Sequence, residues 1–357
     1  MSEEMLSRAA QKVNLVDTST SPRESPSPGQ GRPTNLVDPA WQNRTEVFDF
    51  QFGPIRFGQF SIKSISLVSN PFVADPELAI PLARAAAEGC QAVVISAKPV
   101  DRRFASMCFD RGALRYAARY GDRYIVDLGG PFAEYLKKFS KKARGNLQRT
   151  VKKIATANGG SVDFREYRSP PAIMAFRDIA IAISRRSYKK NTGWGFLETE
   201  EFARQLEADA RADKVRGYAL MIEDEPAAYA FCRIDHHVIV YKHIGYDEKF
   251  TQYSPGTALL YLMLERLFHE REFRLLDFDG TEYYPYKEFF STRAIRCARV
   301  AWFRPTARSL ALVIAHWVVT ASWRLAAALR GLTRRSRREW VSARQHIHQA
   351  RRSIRST

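Results

Sequence analysis

The chain has 357 residues, 45% of them apolar, and a formal net charge of +18. That is enough apolar material for one large or two small folded domains, and it excludes a chain disordered throughout. Its four cysteines, Cys90, Cys108, Cys232 and Cys297, lie far apart in apolar stretches without CxxC or Cys/His spacing. They read as free core thiols of a reducing compartment, with no metal ligand set.

The positive charge is concentrated in two places. From Lys137 to Lys153 there are eight basic residues and no acid, and from Arg330 to the end nine arginines stand against Glu339, so each segment carries +8. Two such patches point to anionic partners at two places: a phosphorylated cofactor, an acidic acceptor or anionic lipid.

Residues 1–45 are rich in Ser, Pro, Gly and charge, as in Ser25-Pro26-Ser27-Pro28-Gly29. Such a composition buries too little apolar surface to offset its ordering entropy, which predicts a disordered tail. Met1 to Asn43 also lacks the apolar core of a secretory signal, so the cytosol is the expected location.

Ordered signals begin near Phe48. Ile62–Val68 reads as a strand, Pro76–Glu88 as a helix closed by Gly89, and Ala92–Ser96 and Tyr124–Leu128 as further strands. Together they form an α/β unit over 48–130. A long helix is then predicted from Pro131 to Gly159-Gly160, with Phe132, Leu136, Phe139, Ala143, Leu147, Val151 and Ile154 on its apolar stripe. Its other faces carry the first basic patch, where Arg144 and Arg149 are candidate phosphate ligands; a merely solvated face is the alternative.

Val162–Arg165 reads as a strand, and helices follow over Ala172–Tyr188 and Glu200–Ala212, the second capped by Thr199. The period then changes to two. Val215–Ile222, Ala227–Ile234 and Val238–Tyr246 form a predicted antiparallel meander joined by short turns, the second of them Asp235-His236-His237. A helix beginning at Ser254-Pro255-Gly256-Thr257 and a strand over Phe273–Gly280 complete a βαβ crossover. Ser254 suits an N-cap, Pro255 the first helical position, and Gly256 leaves room for a ligand. The N–H groups of the first turn and the helix dipole favour an anion there, and a pyrophosphate fits.

The order of these residues carries a resemblance. Tyr246-Asp247, Tyr253 to Leu260, Leu276-Asp277-Phe278-Asp279-Gly280, Tyr286-Lys287 and Phe289 look like the pattern of the CelD/BcsL-type acetyltransferases of the GNAT superfamily. Phe139 to Arg149 is similar to the basic helix that opens that domain. The resemblance covers 131–304, and 48–130 looks like the partial GNAT-like half that often precedes it. It implies an α/β fold whose mixed central sheet contains the antiparallel meander and the βαβ crossover. The chain departs from the family pattern at the Thr281–Pro285 insertion and in having Ser-Pro-Gly where a glycine-rich pyrophosphate loop is usual.

The resemblance also implies that the two parallel strands splay apart around an acyl thioester, which an acceptor amine attacks directly. Such chemistry needs orientation, an oxyanion donor, a group to take the amine's proton and an acid for the thiolate. The resemblance puts Asp277 and Asp279 where they would orient or deprotonate the acceptor. It makes Tyr286 the candidate acid and Lys287 a ligand for a phosphate or an acidic acceptor. His243, which alternates with Tyr241 along its strand, is a candidate base. No metal is expected, because His236 and His237 sit in a tight turn.

The last apolar segment, Ser309–Leu329, is long enough to span a bilayer. His316, Thr320 and Arg324 fall on one stripe, however, and this favours an amphipathic helix lying in the interface, followed by the arginine-rich tail over anionic lipid. A spanning anchor and a helix packed on the domain are the alternatives. The expected function is thus transfer from acyl-CoA, such as acetyl-CoA, to a sugar, lipid-linked glycan or amino compound at the inner membrane face. Two alternatives stand beside it: FemABX-like transfer from aminoacyl-tRNA, the one case calling for nucleic acid in catalysis, and a non-catalytic GNAT-like module that binds nucleic acid or membrane.

Overall fold

The computed structural model describes residues 41–52, 55–73, 79–187, 195–323 and 325–327. Among them, eleven strands form a single sheet. In chain order these are β1 (Trp41–Phe52), β2 (Ile55–Leu67), β3 (Ala92–Pro99), β4 (Met107–Asp110), β5 (Ala113–Asp127), β6 (Asp163–Tyr167), β7 (Val215–Ile222), β8 (Glu225–Asp235), β9 (Val238–Tyr246), β10 (Leu275–Asp277) and β11 (Arg293–Phe303). The spatial order is β1-β2-β3-β11-β5-β10-β9-β8-β7-β6, with β4 added on β5. Two neighbouring pairs are parallel, β2 with β3 and β9 with β10. Each is connected through a helix, α1 (Leu82–Ala87) in the first and α6 (Pro255–Glu270) in the second, as a parallel pair requires.

The remaining helices are α2 (Phe132–Leu136), α3 (Lys141–Ala157), α4 (Pro170–Arg186), α5 (Glu200–Arg211), α7 (Pro285–Phe290) and the C-terminal α8 (Ala307–Ala327). One face of the β6–β10 half is covered by α2, α3 and α6, which bury Leu147, Ile154, Leu264 and Leu267 against Tyr218, Leu220 and Leu276. On the opposite face α4 and α5 enclose Phe176, Leu206 and Phe231. The meander strands are therefore apolar on both sides, and every residue of β7 is buried.

The meander, α5 with its Thr199 cap, and the crossover all form where the sequence places them. Thr199 Oγ1 accepts the Phe202 N–H at 3.2 Å. Three expectations change. The chain is already a strand at Trp41, inside the segment expected to be disordered, because Trp41 and Phe48 are 2% and 1% exposed against the β2 side of the sheet; residues 1–40 of that segment lie outside the described residues. The first helix spans only Leu82–Ala87, with 74–78 outside the described residues. The long helix predicted from Pro131 is two helices. Ser140 adopts an extended backbone and caps α3, its side chain accepting from the Ala143 N–H at 3.2 Å, while Phe139 just before it is buried.

β11 is not announced by the sequence pattern. This strand lies between β3 and β5 and pairs antiparallel with both, so the chain after residue 131 contributes a central strand among those of the preceding unit. Arginines alternate with small and apolar residues along it, and one edge of the pattern holds Cys297, Val300 and Ala301 in the core.

Candidate active site

The parallel pairing of β9 and β10 is three residues long: Leu275 lies opposite Val238, Leu276 opposite Ile239 and Asp277 opposite Val240. β10 then ends, whereas β9 runs on to Tyr246. Beyond Val240 β10 no longer pairs with β9, and α6 starts beside that point. A cavity of about 280 Å³ lies there, lined by Tyr241, Ile244, Gly245 and Tyr246 of β9, Ser254 to Thr257 of the helix start, and Tyr286 and Phe290 of α7.

The start of α6 is built for an anion in an unexpected way. Ser254 occupies the cap position but in the left-handed conformation (φ +48°), and its side chain makes no capping hydrogen bond. Its carbonyl instead accepts the N–H groups of Thr257 and Ala258 at 3.1 and 3.2 Å. Pro255 has no N–H, and among the described residues that of Gly256 has no partner. A Cβ on Gly256 would sit 3.7 Å from Tyr246 Cδ1, in ordinary contact, so the glycine keeps the cavity wall open without being demanded by the fold.

A bulge in β9 decides where His243 goes. Phe231 of β8 pairs with His243 and Cys232 with Tyr241, so Lys242 is an extra residue and the alternation reverses. Tyr241 faces the α6 side, where its ring meets Phe278. His243 lies on the α4–α5 side against Phe196 and Phe231, with ring centroids 5.8 and 6.0 Å away. The expected alternation of the two on one face does not hold, and His243 does not line the cavity. Two residues on, Gly245 makes room for Tyr229, whose Cε1 would come within 2.5 Å of a Cβ there and whose hydroxyl meets Ser184 Oγ at 2.8 Å.

Asp277 and Asp279 are drawn into an ion cluster between β5 and β9. The wholly buried Asp277 carboxylate shares the single Arg123 Nε–H between its two oxygens, both 2.9 Å away, and also accepts from Arg123 Nη2 at 2.6 Å, Asn70 Nδ2 at 2.6 Å and the Asp279 N–H at 3.0 Å. It is not part of the cavity lining, and four donors leave it little capacity to act on an acceptor. Asp279, in the left-handed region (φ +47°), bridges Arg123 Nη2 at 2.9 Å and Lys242 Nζ at 2.7 Å. Burial pushes its carboxyl upward, but Lys242 and Arg123 outweigh that and hold it below the ordinary value.

Lys287 is buried and donates from Nζ to the Asp279 carbonyl at 2.6 Å. Burial lowers its pKa, against the pull of Glu282, Asp279 and Asp277. It pins the turn after β10 and lies outside the cavity. Tyr286 is the predicted catalytic residue that does line it; its ring stands edge-on to Phe278 at 5.9 Å.

The basic helix is only partly available to a ligand. Lys138 donates to the carbonyls of Phe289 (2.7 Å) and Ser291 at the end of α7, a structural use of its charge. Arg149 bonds back to Gly145 O and Asn146 Oδ1 of its own helix, and neither it nor Arg144 lines the cavity. Lys153 is the basic residue brought to the α6 start: its Nζ donates to Gln252 O at 2.9 Å and lies 4.9 Å from the Tyr253 ring centroid. A larger open groove of about 550 Å³, lined by Lys138, Asp122, Tyr124 and Glu288 among others, lies on the other side of α7 and includes Ser140 and Ala143 at the start of α3. Among the described residues no group of three or more His, Cys, Asp or Glu is placed to hold a metal.

Residues 141–288 match the family model described as Acetyltransferase (GNAT) domain. The fold is GNAT-like. The matched segment runs from α3 to α7 and so contains the meander, the bulge and the crossover that make the GNAT-like cavity. No curated protein matches the chain. Among solved structures, the C-terminal domain of a putative lysylphosphatidylglycerol synthetase from Agrobacterium fabrum aligns at 13% identity and a TM-score of 0.47, over 72% of this chain and 85% of that one. FemX aligns at 12% identity and 0.45, over 77% and 91%, and a tandem GNAT protein from the clavulanic acid biosynthesis pathway at 13% and 0.38, over 76% and 86%.

Proposed function

We propose that the chain is an acyl-CoA-dependent N-acyltransferase, acetyl-CoA being the simplest donor, that works in the cytoplasm on an acceptor at the inner membrane face. The observation that carries this reading is the cavity at the end of β10, where an α-helix start whose Gly256 N–H has no partner among the described residues meets the last residues of β9. A pyrophosphate fits the helix start, and the cavity beyond it takes the pantetheine arm. Tyr286, which lines the cavity, is in this reading the acid that protonates the departing thiolate. The acceptor belongs to the class of sugars, lipid-linked glycans or amino compounds, in keeping with the resemblance to the polysaccharide-linked acetyltransferases.

A second reading has one observation in its favour. Lys141, Lys142 and Lys152, besides Lys153, stand exposed on α3, more positive charge than a single CoA needs, and an aminoacyl-tRNA donor would use it. A thermal-shift screen of the full chain with acetyl-CoA, longer acyl-CoAs and tRNA separates the two, since a ligand that binds only the native state raises the midpoint. A shift with acyl-CoA and none with tRNA is expected. A shift with tRNA alone assigns the donor to the second reading.

A further inference from the structure

The C-terminal helix is inside out. Of the polar stripe predicted over His316, Thr320 and Arg324, the first two face the protein in α8, and Arg324 lies outside the described residues. His316 Nδ1 lies 2.6 Å from the Tyr116 hydroxyl, within a ring of Phe48, Phe50 and Phe60, and Thr320 Oγ1 donates to the His316 carbonyl. Ser309 and the fully buried Val313 complete the docked stripe. The outward faces are apolar: Leu310, Ile314, Trp317, Val318 and Leu325 are 39–63% exposed, and no charged residue occurs between Arg308 and Arg324. A helix facing water carries the opposite pattern.

The β1–β2 hairpin extends this surface. Phe52 packs on Trp323 with ring centroids 5.1 Å apart, and beside it Ile55 and Phe57 are 64% and 59% exposed. Two elements from opposite ends of the fold thus present one apolar surface, larger than scattered single residues on a soluble protein account for.

The geometry points to a lipid interface as the occupant of this surface: α8 and the hairpin tip lie in the headgroup and upper acyl region of an anionic leaflet. The helix is 21 residues long, and its most apolar 18 residues have a mean hydropathy of 1.5, the length and composition of a membrane span. Its engagement with the sheet through Val313 and His316 is incompatible with crossing the bilayer as a lone span, so it lies along the surface instead. Charge selects lipid over a second copy of the chain. From Arg304 to Thr357 the sequence holds twelve arginines and one acid, Glu339, which attract anionic headgroups and would repel each other across a two-fold interface. The inner-leaflet assignment rests on the proposed cytoplasmic acyltransferase reading; the surface itself uses none of the cavity residues.

The test is co-sedimentation of the full chain with phosphatidylcholine vesicles and with vesicles containing phosphatidylglycerol, without donor or acceptor. Binding to the anionic vesicles is expected. Ile314→Glu with Val318→Glu, and separately Phe57→Ser, should each weaken it by about tenfold or more, because they remove inserted apolar groups while leaving every arginine in place. Circular dichroism and the thermal midpoint confirm that these surface variants fold. Binding that survives both substitutions unchanged overturns the proposal in favour of electrostatic adsorption of the arginines alone. No vesicle binding, together with self-association in sedimentation that the Ile314/Val318 variant abolishes, assigns the surface to a second copy. Because vesicle binding is read without substrate, failure of the transferase reading leaves this result standing, and the reverse also holds.

Discussion

Arg123 and Asp277 lock β5 to β10, with Nη2 2.6 Å from Oδ2 and the carboxylate wholly buried. The pair sits at the last residue of β10, outside the cavity lining. Asp277 has the position along the chain of a catalytic acid or base but the surroundings of a structural ion. Asp277→Asn leaves the Arg123 guanidinium buried with only Asp279 to balance it, and we expect a loss of about 3 kcal/mol of stability in urea unfolding. Turnover per folded molecule should stay near wild type. A fully stable variant with lost turnover would return Asp277 to the chemistry.

Asp279 gives the site a pH dependence whose sign follows from its partners. Its folded carboxyl is held below the ordinary 3.8 by Lys242 and Arg123, despite burial, so the unfolded chain takes up the proton first as the pH falls. The contribution is therefore fully present above 3.8 and is lost as the pH drops through the depressed folded value. Asn tolerates the left-handed backbone at this position and removes the charge. Asp279→Asn should lower stability at neutral pH and flatten the acid limb of the unfolding midpoint against pH. An acid limb as steep as wild type would show that other carboxyls carry it.

Gly256 tests the anion site. Its Cβ position is only in ordinary contact with Tyr246, so Gly256→Ala should fold and bind donor with modest loss. Gly256→Val pushes methyl groups into the space beside the unpartnered N–H and should weaken acyl-CoA binding by more than about tenfold in calorimetry, with the thermal midpoint of the free protein little changed. Unchanged affinity would move the pyrophosphate elsewhere.

Where the side-chain period is regular the elements are legible from sequence: the meander, α5 and the position at which α6 begins follow the expectation, though Ser254 does not cap α6 with its side chain. What escaped was non-local or hung on a single residue. The β9 bulge at Lys242 reverses the faces of Tyr241 and His243, and nothing in Val238–Tyr246 announces it, since strict alternation is equally consistent with the apolar residues there. β11 carries an arginine at every third position, which hides a strand whose burial comes from β3 and β5, over 150 residues away. Arg123 and Asn70 were invisible as partners of Asp277 because they come from separate elements, although a lone arginine entering the apolar run Tyr124–Leu128 was a signal that a buried acid waited opposite. His316 and Thr320 were recognised as one stripe, but the ring of Phe48, Phe50 and Phe60 that receives it belongs to strands only partly foreseen.

Tyr286 is the predicted catalytic residue that the fold brings to the cavity, and its role separates positioning from chemistry. The ring packs edge-on against Phe278, and α7 is held in place by Lys138 through the Phe289 and Ser291 carbonyls, so removing only the hydroxyl leaves the wall intact. If the hydroxyl protonates the leaving thiolate, Tyr286→Phe acts in the transition state alone: kcat should fall by about 10- to 100-fold while the donor dissociation constant stays within about twofold. The loss should shrink with a donor whose thiol leaves without protonation, such as an acyl thioester of a more acidic thiol, because a better leaving group needs less help from the acid. Equal losses with both donors, or a parallel loss of donor affinity, would make Tyr286 a wall of the binding site and leave the proton to water entering from the open side of the cavity.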